Sequence, residues 1–258
     1  MDSKINLNKY YSNFQENFLD HVIKESTKNI NDQKKKKQNS DFIKKIYFNK
    51  FVDIKWNEIT KLKKSDFINK AIINTKIKDP NYLEIGSFRN QNFDLIKTKN
   101  KISVDPDPNA GAKFLGTSDD FFFQNNKKFD VIFIDGLHHY DQCHKDAINS
   151  FNCLNKNGYL FFHDLVPRNF FEEYIPQSSP VWTGDVWKVS IELAKTKGIV
   201  FKVILADHGL GMLKKIEENV DFYTDDKKKL QNLRFKDFME LNEVVNYEKA
   251  EFAYENFI

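Results

Sequence analysis

Two short apolar runs, Val131–Ile134 and Tyr159–Phe162, constrain this chain more than any other feature. The first runs out into Asp135-Gly136-Leu137-His138-His139 and the second into His163-Asp164. Between them lies a stretch of helical character, closed by the turn signal Asn157-Gly158. Strand, helix, strand is the βαβ unit of a parallel sheet. Ligands in such sheets bind outside the carboxyl ends of the strands. The two strand ends therefore gather Asp135, His138, His139, His163 and Asp164 around one crevice.

The remaining sequence reads as support for that crevice. Residues 1–75 form a helical extension, in which Tyr10, Tyr11, Phe14, Phe18 and Val22 recur at spacings that suit one helix face. The run Lys34–Lys37, inside the polar stretch 31–40, reads as a solvated loop. Its sharper reading is a contact for an anionic substrate such as a nucleotide diphosphate. Residues 41–74 read as helical again. From Asp79-Pro80 the pattern changes to strands at 82–85, 101–105, 112–115, 129–135, 158–164, 199–205 and 209–214. A turn and helix are predicted over 87–98, and Ser118 or Asp119 is expected to cap the helix after Gly116-Thr117. The loop 165–181 contains three prolines and is long for a compact domain, which suits a lid or binding loop. The segment Trp182–Lys188 is either plain packing or a wall of an acceptor pocket, with Asp185 or Lys188 touching substrate. The last two strands meet through Ala206-Asp207-His208-Gly209, so they form an antiparallel hairpin. The expected fold is α/β: a doubly wound, Rossmann-like seven-stranded sheet with an antiparallel last strand over 76–215, and helical additions at 1–75 and 216–258.

Composition narrows the function by exclusion. The 258 residues carry 40 basic against 37 acidic groups, a net charge of +3 that gives no argument for nucleic acid. Cys143 and Cys153 both fall in the crossover helix and cannot staple a framework, so a reducing cytoplasm is expected. No apolar run approaches the ~20 residues of a membrane span. The first residues, Met1-Asp2-Ser3-Lys4, lack the apolar core of a signal peptide.

Glu84-Ile85-Gly86 and Val104-Asp105 follow the spacing of a dinucleotide fold, about twenty residues from Gly turn to acid. A full fingerprint would place glycines at positions 88 and 91, where this chain has Phe88 and Gln91. A ligand with adenosine but no pyrophosphate does not need them, which points away from NAD and toward S-adenosylmethionine.

Here the chain resembles the class I S-adenosylmethionine-dependent methyltransferases, and more narrowly the metal-dependent sugar and small-molecule O-methyltransferases. The resemblance covers about residues 80–215. It rests on Tyr82-Leu83-Glu84-Ile85-Gly86-Ser87, Val104-Asp105-Pro106, Gly116-Thr117-Ser118-Asp119, Ile134-Asp135-Gly136-Leu137-His138-His139-Tyr140 and Phe162-His163-Asp164. It implies that Glu84, Gly86 and Ser87 line the methionine side of the cofactor, that Asp105 binds its ribose, and that Ser118 and Asp119 lie beside the adenine. It departs from the family at Phe88 and Asn90, where glycine is common. It implies a divalent cation, Mg²⁺ or Mn²⁺, held by Asp135 and the pair His163-Asp164. His163 stands where relatives have an oxygen ligand, so it either ligates a softer ion or points elsewhere. The resemblance further implies His138 as general base, with Asp135 beside it, and His139 as a contact on the cofactor side. His21, His144 and His208 read as structural.

The function expected is methyl transfer from S-adenosylmethionine to a hydroxyl of a sugar or nucleotide-linked sugar, in surface polysaccharide or glycan biosynthesis. A phenol or amine acceptor is the enzymatic alternative, and a non-catalytic cofactor-binding subunit is the other. The expected partner is a small-molecule acceptor, with no nucleic acid and no membrane, and the N-terminal extension is a candidate homodimer surface.

Overall fold

The computed structural model describes residues 4–13, 18–223 and 227–257. Its strands are β1 (Tyr11–Asn13), β2 (Lys50–Val52), β3 (Tyr82–Ile85), β4 (Lys101–Asp105), β5 (Phe114–Leu115), β6 (Phe129–Ile134), β7 (Leu154–Phe162), β8 (Ile199–Leu205), β9 (Leu210–Lys215) and β10 (Tyr247–Lys249). Its helices are α1 (Phe18–Thr27), α2 (Gln33–Ile46), α3 (Trp56–Ile59), α4 (Lys64–Asn74), α5 (Ser118–Gln124), α6 (Tyr140–Cys153), α7 (Phe170–Glu173), α8 (Lys188–Lys195), α9 (Lys227–Asn232), α10 (Phe235–Leu241) and α11 (Ala250–Glu255).

Eight strands form one sheet in the order β10-β8-β9-β7-β6-β3-β4-β5, while β1 and β2 pair separately. Every residue of β3 and β6 is buried, as expected of strands covered on both faces. Alternate side chains along β6 serve opposite faces. Val131 and Phe133 pack with Phe67, Ile68 and Ala71 of α4 and with Ala250 and Ala253 of α11. Ile132 and Ile134 pack in the other core, with Phe121 of α5, Cys143, Ala147 and Phe151 of α6, and Val189 of α8. Phe67, Ile68, Ala71 and Ile72 lie on one stripe of α4, which is why that helix seats flat on the sheet.

The chain leaves β3 toward β4 and β5, then returns to place β6 on the other side of β3. This reversal is the switch point at which doubly wound sheets open a crevice. Register sets the level of that crevice. Ile85 pairs with both Val104 and Ile134, and Ile134 pairs with Phe162. Hence Gly86, Asp105, Asp135 and His163, each one residue further on, emerge together at the same rim. The hairpin β8–β9 is antiparallel, as its short connection demands, and β9 is also antiparallel to β7.

Several expectations are corrected. The sheet gains an eighth strand, β10, parallel to β8 and tied to it by the buried pair Lys202–Glu248 at 2.8 Å. Tyr10, Tyr11, Phe18 and Val22 do not share one helix. Leu7–Tyr10 is a 3-10 turn, Tyr11 enters β1 with its hydroxyl donating to the Met239 carbonyl at 2.7 Å, and α1 begins at Phe18. Phe14 lies outside the described residues. Lys34–Lys37 is not a loop but the first turns of α2, because Asp32 accepts from the amides of Lys34 and Lys35 and caps it. The stretch 41–74 breaks into the end of α2, β2, α3 and α4. Over 87–98 there are two 3-10 turns and no α-helix. Thr117, not Ser118 or Asp119, caps α5, exchanging hydrogen bonds with Asp120. Cys143 and Cys153 are buried and unpaired, and no described helix is long and apolar enough to cross a membrane.

Candidate active site

A cavity of about 760 Å³ opens over the switch point. That volume is within the ~300–1,000 Å³ of small-molecule sites. Gly86, Asp105, Ser118, Asp119, Asp135, His138, His163 and Asp164 line it, together with Phe88, Gln142 and Gln177. Its two ends differ in chemistry.

At one end the backbone is shaped for a close ligand. Gly86 has φ +79°, and a Cβ there would stand 2.0 Å from the carbonyl oxygen of Asp135, so only glycine lets the β3 and β6 ends meet. Phe88, Arg89 and Asn90 have φ of +30°, +55° and +57°. These three non-glycine residues thus adopt a glycine-like backbone, at a cost in strain. Asp105 fixes this loop by accepting from the amides of Phe88 (3.0 Å) and Asp107 (2.9 Å). Gln142 of α6 donates to Ser118 (3.1 Å) and Asp119 (3.1 Å), tying the far wall to α6.

Glu84, Ser87 and His139 are not among the lining residues. Glu84 is buried behind the rim, where Tyr82 and Asn92 donate to it, and burial pushes its pKa up to about 7. Ser87 is buried beside Gly86, outside the cavity lining, with its hydroxyl unpartnered. His139 occupies the N-cap position of α6, its ring 6.0 Å from that of Trp182.

The other end concentrates charge. Asp164 has φ +61°, a left-handed turn immediately after the strand that sets its buried carboxylate beside His138. His138 Nε2 lies 3.5 Å from Asp135 and 3.3 Å from Asp164. Its Nδ1 lies 2.8 Å from the Trp182 carbonyl, which can only accept. Nδ1 therefore carries a proton in either charge state, and Nε2, which faces Asp135 and Asp164, is the nitrogen that gains or loses the other. Burial works against the His138 cation, but the hydrogen bond to Asp135 and the charges of Asp164 and Asp135 outweigh it and raise its pKa. Burial would likewise lift Asp135, yet His163 and Lys64 hold it well below the usual carboxylate range.

Asp135, His138 and Asp164 offer ligand atoms that all lie within 4.8 Å of one another. These donors fit a divalent cation: two carboxylates, and an imidazole nitrogen whose ring is oriented by a carbonyl on its other nitrogen, as ligating histidines usually are. His163 is placed differently. Its Nδ1 lies 3.1 Å from Asp135 and 3.2 Å from Asp164, and its Nε2 lies 3.3 Å from Lys64 Nζ.

Sequence reasoning missed Lys64, Asp207 and Gln142. Lys64 reaches in from the first turn of α4, 3.1 Å from Asp135 and 3.8 Å from Asp207. Nothing local marks it among the neighbouring lysines; only the packing of α4 on the sheet does. Trp182 belongs to the site through its carbonyl. Asp185 and Lys188 do not contact the cavity: Lys188 is fully buried, bonded to Asp185 at 2.6 Å, and Asp185 accepts from the Tyr140 amide to cap α6. His144 pairs with Glu192 at 2.9 Å inside the core, consistent with a structural role.

An open doubly wound sheet with a ligand-sized cavity across its switch point defines a Rossmann-like fold. Residues 102–165, about a quarter of the chain, match a family described as "Methyltransferase domain". Comparison with curated proteins finds no match. Among solved structures, the chain is similar to cofactor-bound Rv0187 from MTB (10% identity, 80% of this chain and 100% of that one, TM-score 0.45). It is also similar to an O-methyltransferase from Bacillus cereus in complex with SAH (11%, 62% and 85%, 0.41) and to SAH-bound methyltransferase PaMTH1 from Podospora anserina (15%, 72% and 97%, 0.43).

Proposed function

We propose that the chain is an S-adenosylmethionine-dependent O-methyltransferase acting on a hydroxyl of a small molecule, of the sugar or nucleotide-linked sugar class. One observation carries the reading: a single cavity joins a ribose-type acid, Asp105, and the polar wall Ser118–Asp119 to an acid–imidazole cluster at the other end. S-adenosylmethionine supplies an electrophilic methyl group when bound. Asp105 holds the ribose hydroxyls, Ser118, Asp119 and Gln142 face the adenine, and Gly86 accommodates the methionine end. Glu84 stiffens this end from behind.

His138 is the general base. The Trp182 carbonyl fixes its tautomer, so Nε2 takes the proton from the acceptor hydroxyl as that oxygen attacks. Asp135 and Asp164 orient the imidazole and stabilise its cation after transfer. The acceptor class rests on the resemblance of the strand-end motifs, including His138 three residues after Asp135.

A second reading is favoured by the convergence of Asp135, His138 and Asp164: the imidazole is a cation ligand. A cation there would lower the acceptor hydroxyl pKa, and His138 would not be the base. Labelled methyl transfer to a panel of sugar and phenol acceptors tests the proposal, using chelator-treated and Mn²⁺-loaded protein. Activity without metal that is lost in His138→Ala supports the base. Activity that needs metal, with metal binding lost in His138→Ala, supports the ligand. No transfer to any acceptor, with Asp105→Ala indistinguishable from the parent, overturns both.

A further inference from the structure

A second cavity of about 750 Å³ lies between the helix pair α1–α2 and the loop 174–180. It matches the first in size and shares Gln177 with it, so the two meet at that side chain. Its other wall is fixed to the catalytic end. The Trp182 indole donates to the Tyr174 carbonyl at 2.9 Å, and the Trp182 carbonyl is the partner of His138 Nδ1. Tyr174 in turn donates to Asn39 of α2 at 3.3 Å, and Asn39 donates to the Ser26 carbonyl of α1 at 3.3 Å. The helical extension, the proline-containing loop and the imidazole are therefore one connected wall.

The lining includes six neutral polar side chains, Ser26, Asn29, Asn39, Gln177, Ser178 and Ser179. The Oγ atoms of Ser26 and Ser178 are buried without a hydrogen-bond partner. Buried polar atoms without partners cost free energy. Two lysines, Lys28 and Lys35, face one carboxylate, Glu25. Glu25 is taken by Lys28 at 2.7 Å, and Lys35 has no ion-pair partner among the described residues, which leaves one positive charge over.

We infer that this second cavity is the acceptor site, built for a polyhydroxylated molecule that carries a phosphate. The hydroxyl and amide groups bind the sugar hydroxyls, Lys35 meets the phosphate, and Gln177 marks the passage through which the reacting hydroxyl enters the cofactor cavity. The inference rests on the methyltransferase reading, and it assigns the helical extension a part in substrate recognition. An aromatic acceptor finds a single ring, Tyr174, among the lining residues.

The test is calorimetric titration of the full chain saturated with S-adenosylhomocysteine, using glucose 1-phosphate, UDP-glucose, glucose and catechol as probes. Both phosphate-bearing sugars are expected to bind, with glucose weaker by roughly tenfold or more. Ser178→Trp, which fills the cavity from a surface loop, is expected to abolish sugar binding while S-adenosylhomocysteine affinity stays unchanged, and that unchanged affinity reports an intact fold. Lys35→Glu is expected to weaken the phosphate-bearing sugars by about fivefold or more and to leave glucose unaffected. Binding of S-adenosylhomocysteine with no binding of either phosphate-bearing sugar at millimolar concentration overturns the inference, as does preferential binding of catechol or indifference to Ser178→Trp. Failure of S-adenosylhomocysteine itself to bind strikes the methyltransferase reading, and this inference falls with it.

Discussion

Gly184 offers the sharpest test of how the imidazole is held. Its φ is +60°, and a Cβ added there would stand 1.8 Å from the carbonyl oxygen of His138 and 2.8 Å from its Cβ. The loop cannot swing away, because the amides of Thr183 and Gly184 both donate to the Glu172 carbonyl, at 2.9 and 3.0 Å. Relief to an ordinary contact needs a movement of roughly 1 Å or more, shared between the loop and His138. The left-handed backbone adds a further cost of about 1 kcal/mol. A 1 Å misplacement of a reacting group can cost ~10²-fold in rate. Gly184→Ala is therefore expected to lower kcat for methyl transfer by about 100-fold and to reduce thermal stability. Affinity for S-adenosylhomocysteine should change little, because Asp105, Ser118 and Asp119 lie at the other end of the cavity. Full activity with an unchanged melting temperature would refute the claim that the close approach of Gly184 positions His138.

Three more outcomes follow from the charges. Because the pKa of His138 is raised, its basic form accumulates only above the ordinary value near ~6.5, and the acidic limb of kcat/KM should lie there. Asp164→Asn removes a charge that raises it, so in chelator-treated protein the limb should move to lower pH; a limb that stays or rises contradicts the assignment. Glu84, with its pKa raised to about 7, binds a proton more readily folded than unfolded, so it withdraws stability as pH climbs from about 4.5 to 7. Glu84→Gln should flatten that decline and recover up to about 3 kcal/mol at pH 8, measured by denaturant melts across pH. Glu248→Ala strands the buried Lys202 amine and should cost about 3–5 kcal/mol in the same melts, whereas a cost under 1 kcal/mol would show that β10 is not locked to the sheet by this pair.

How much of this was legible in the sequence depended on how local the signal was. Strands β3, β6 and β7 were readable because burial on both faces demands short, mostly apolar runs such as Val131–Ile134 and Tyr159–Phe162, and the level of Gly86, Asp105 and Asp135 then followed from parallel register. Strand β10 was not readable: three residues, Tyr247-Glu248-Lys249, carry no period, and their pairing depends on a buried ion pair with a partner far along the chain. The gathering of His138, Asp135 and Asp164 at one crevice was legible from the neighbouring ends of β6 and β7, but the left-handed turn at Asp164 is a backbone feature without a sequence mark. Lys64 reaches the site only because α4 packs across the sheet, and one lysine in this Lys-rich chain looks like any other. The lysine run 34–37 misled for the opposite reason, since a single cap at Asp32 turned a polar stretch into a helix.

The central claim is that the cavity over the switch point binds S-adenosylmethionine through Asp105. Calorimetric titration of chelator-treated protein with S-adenosylhomocysteine, with and without Mg²⁺ or Mn²⁺, tests it most directly. Micromolar binding that weakens roughly tenfold or more in Asp105→Ala is the expected result. No binding under any of these conditions, or equal binding in Asp105→Ala, would contradict it.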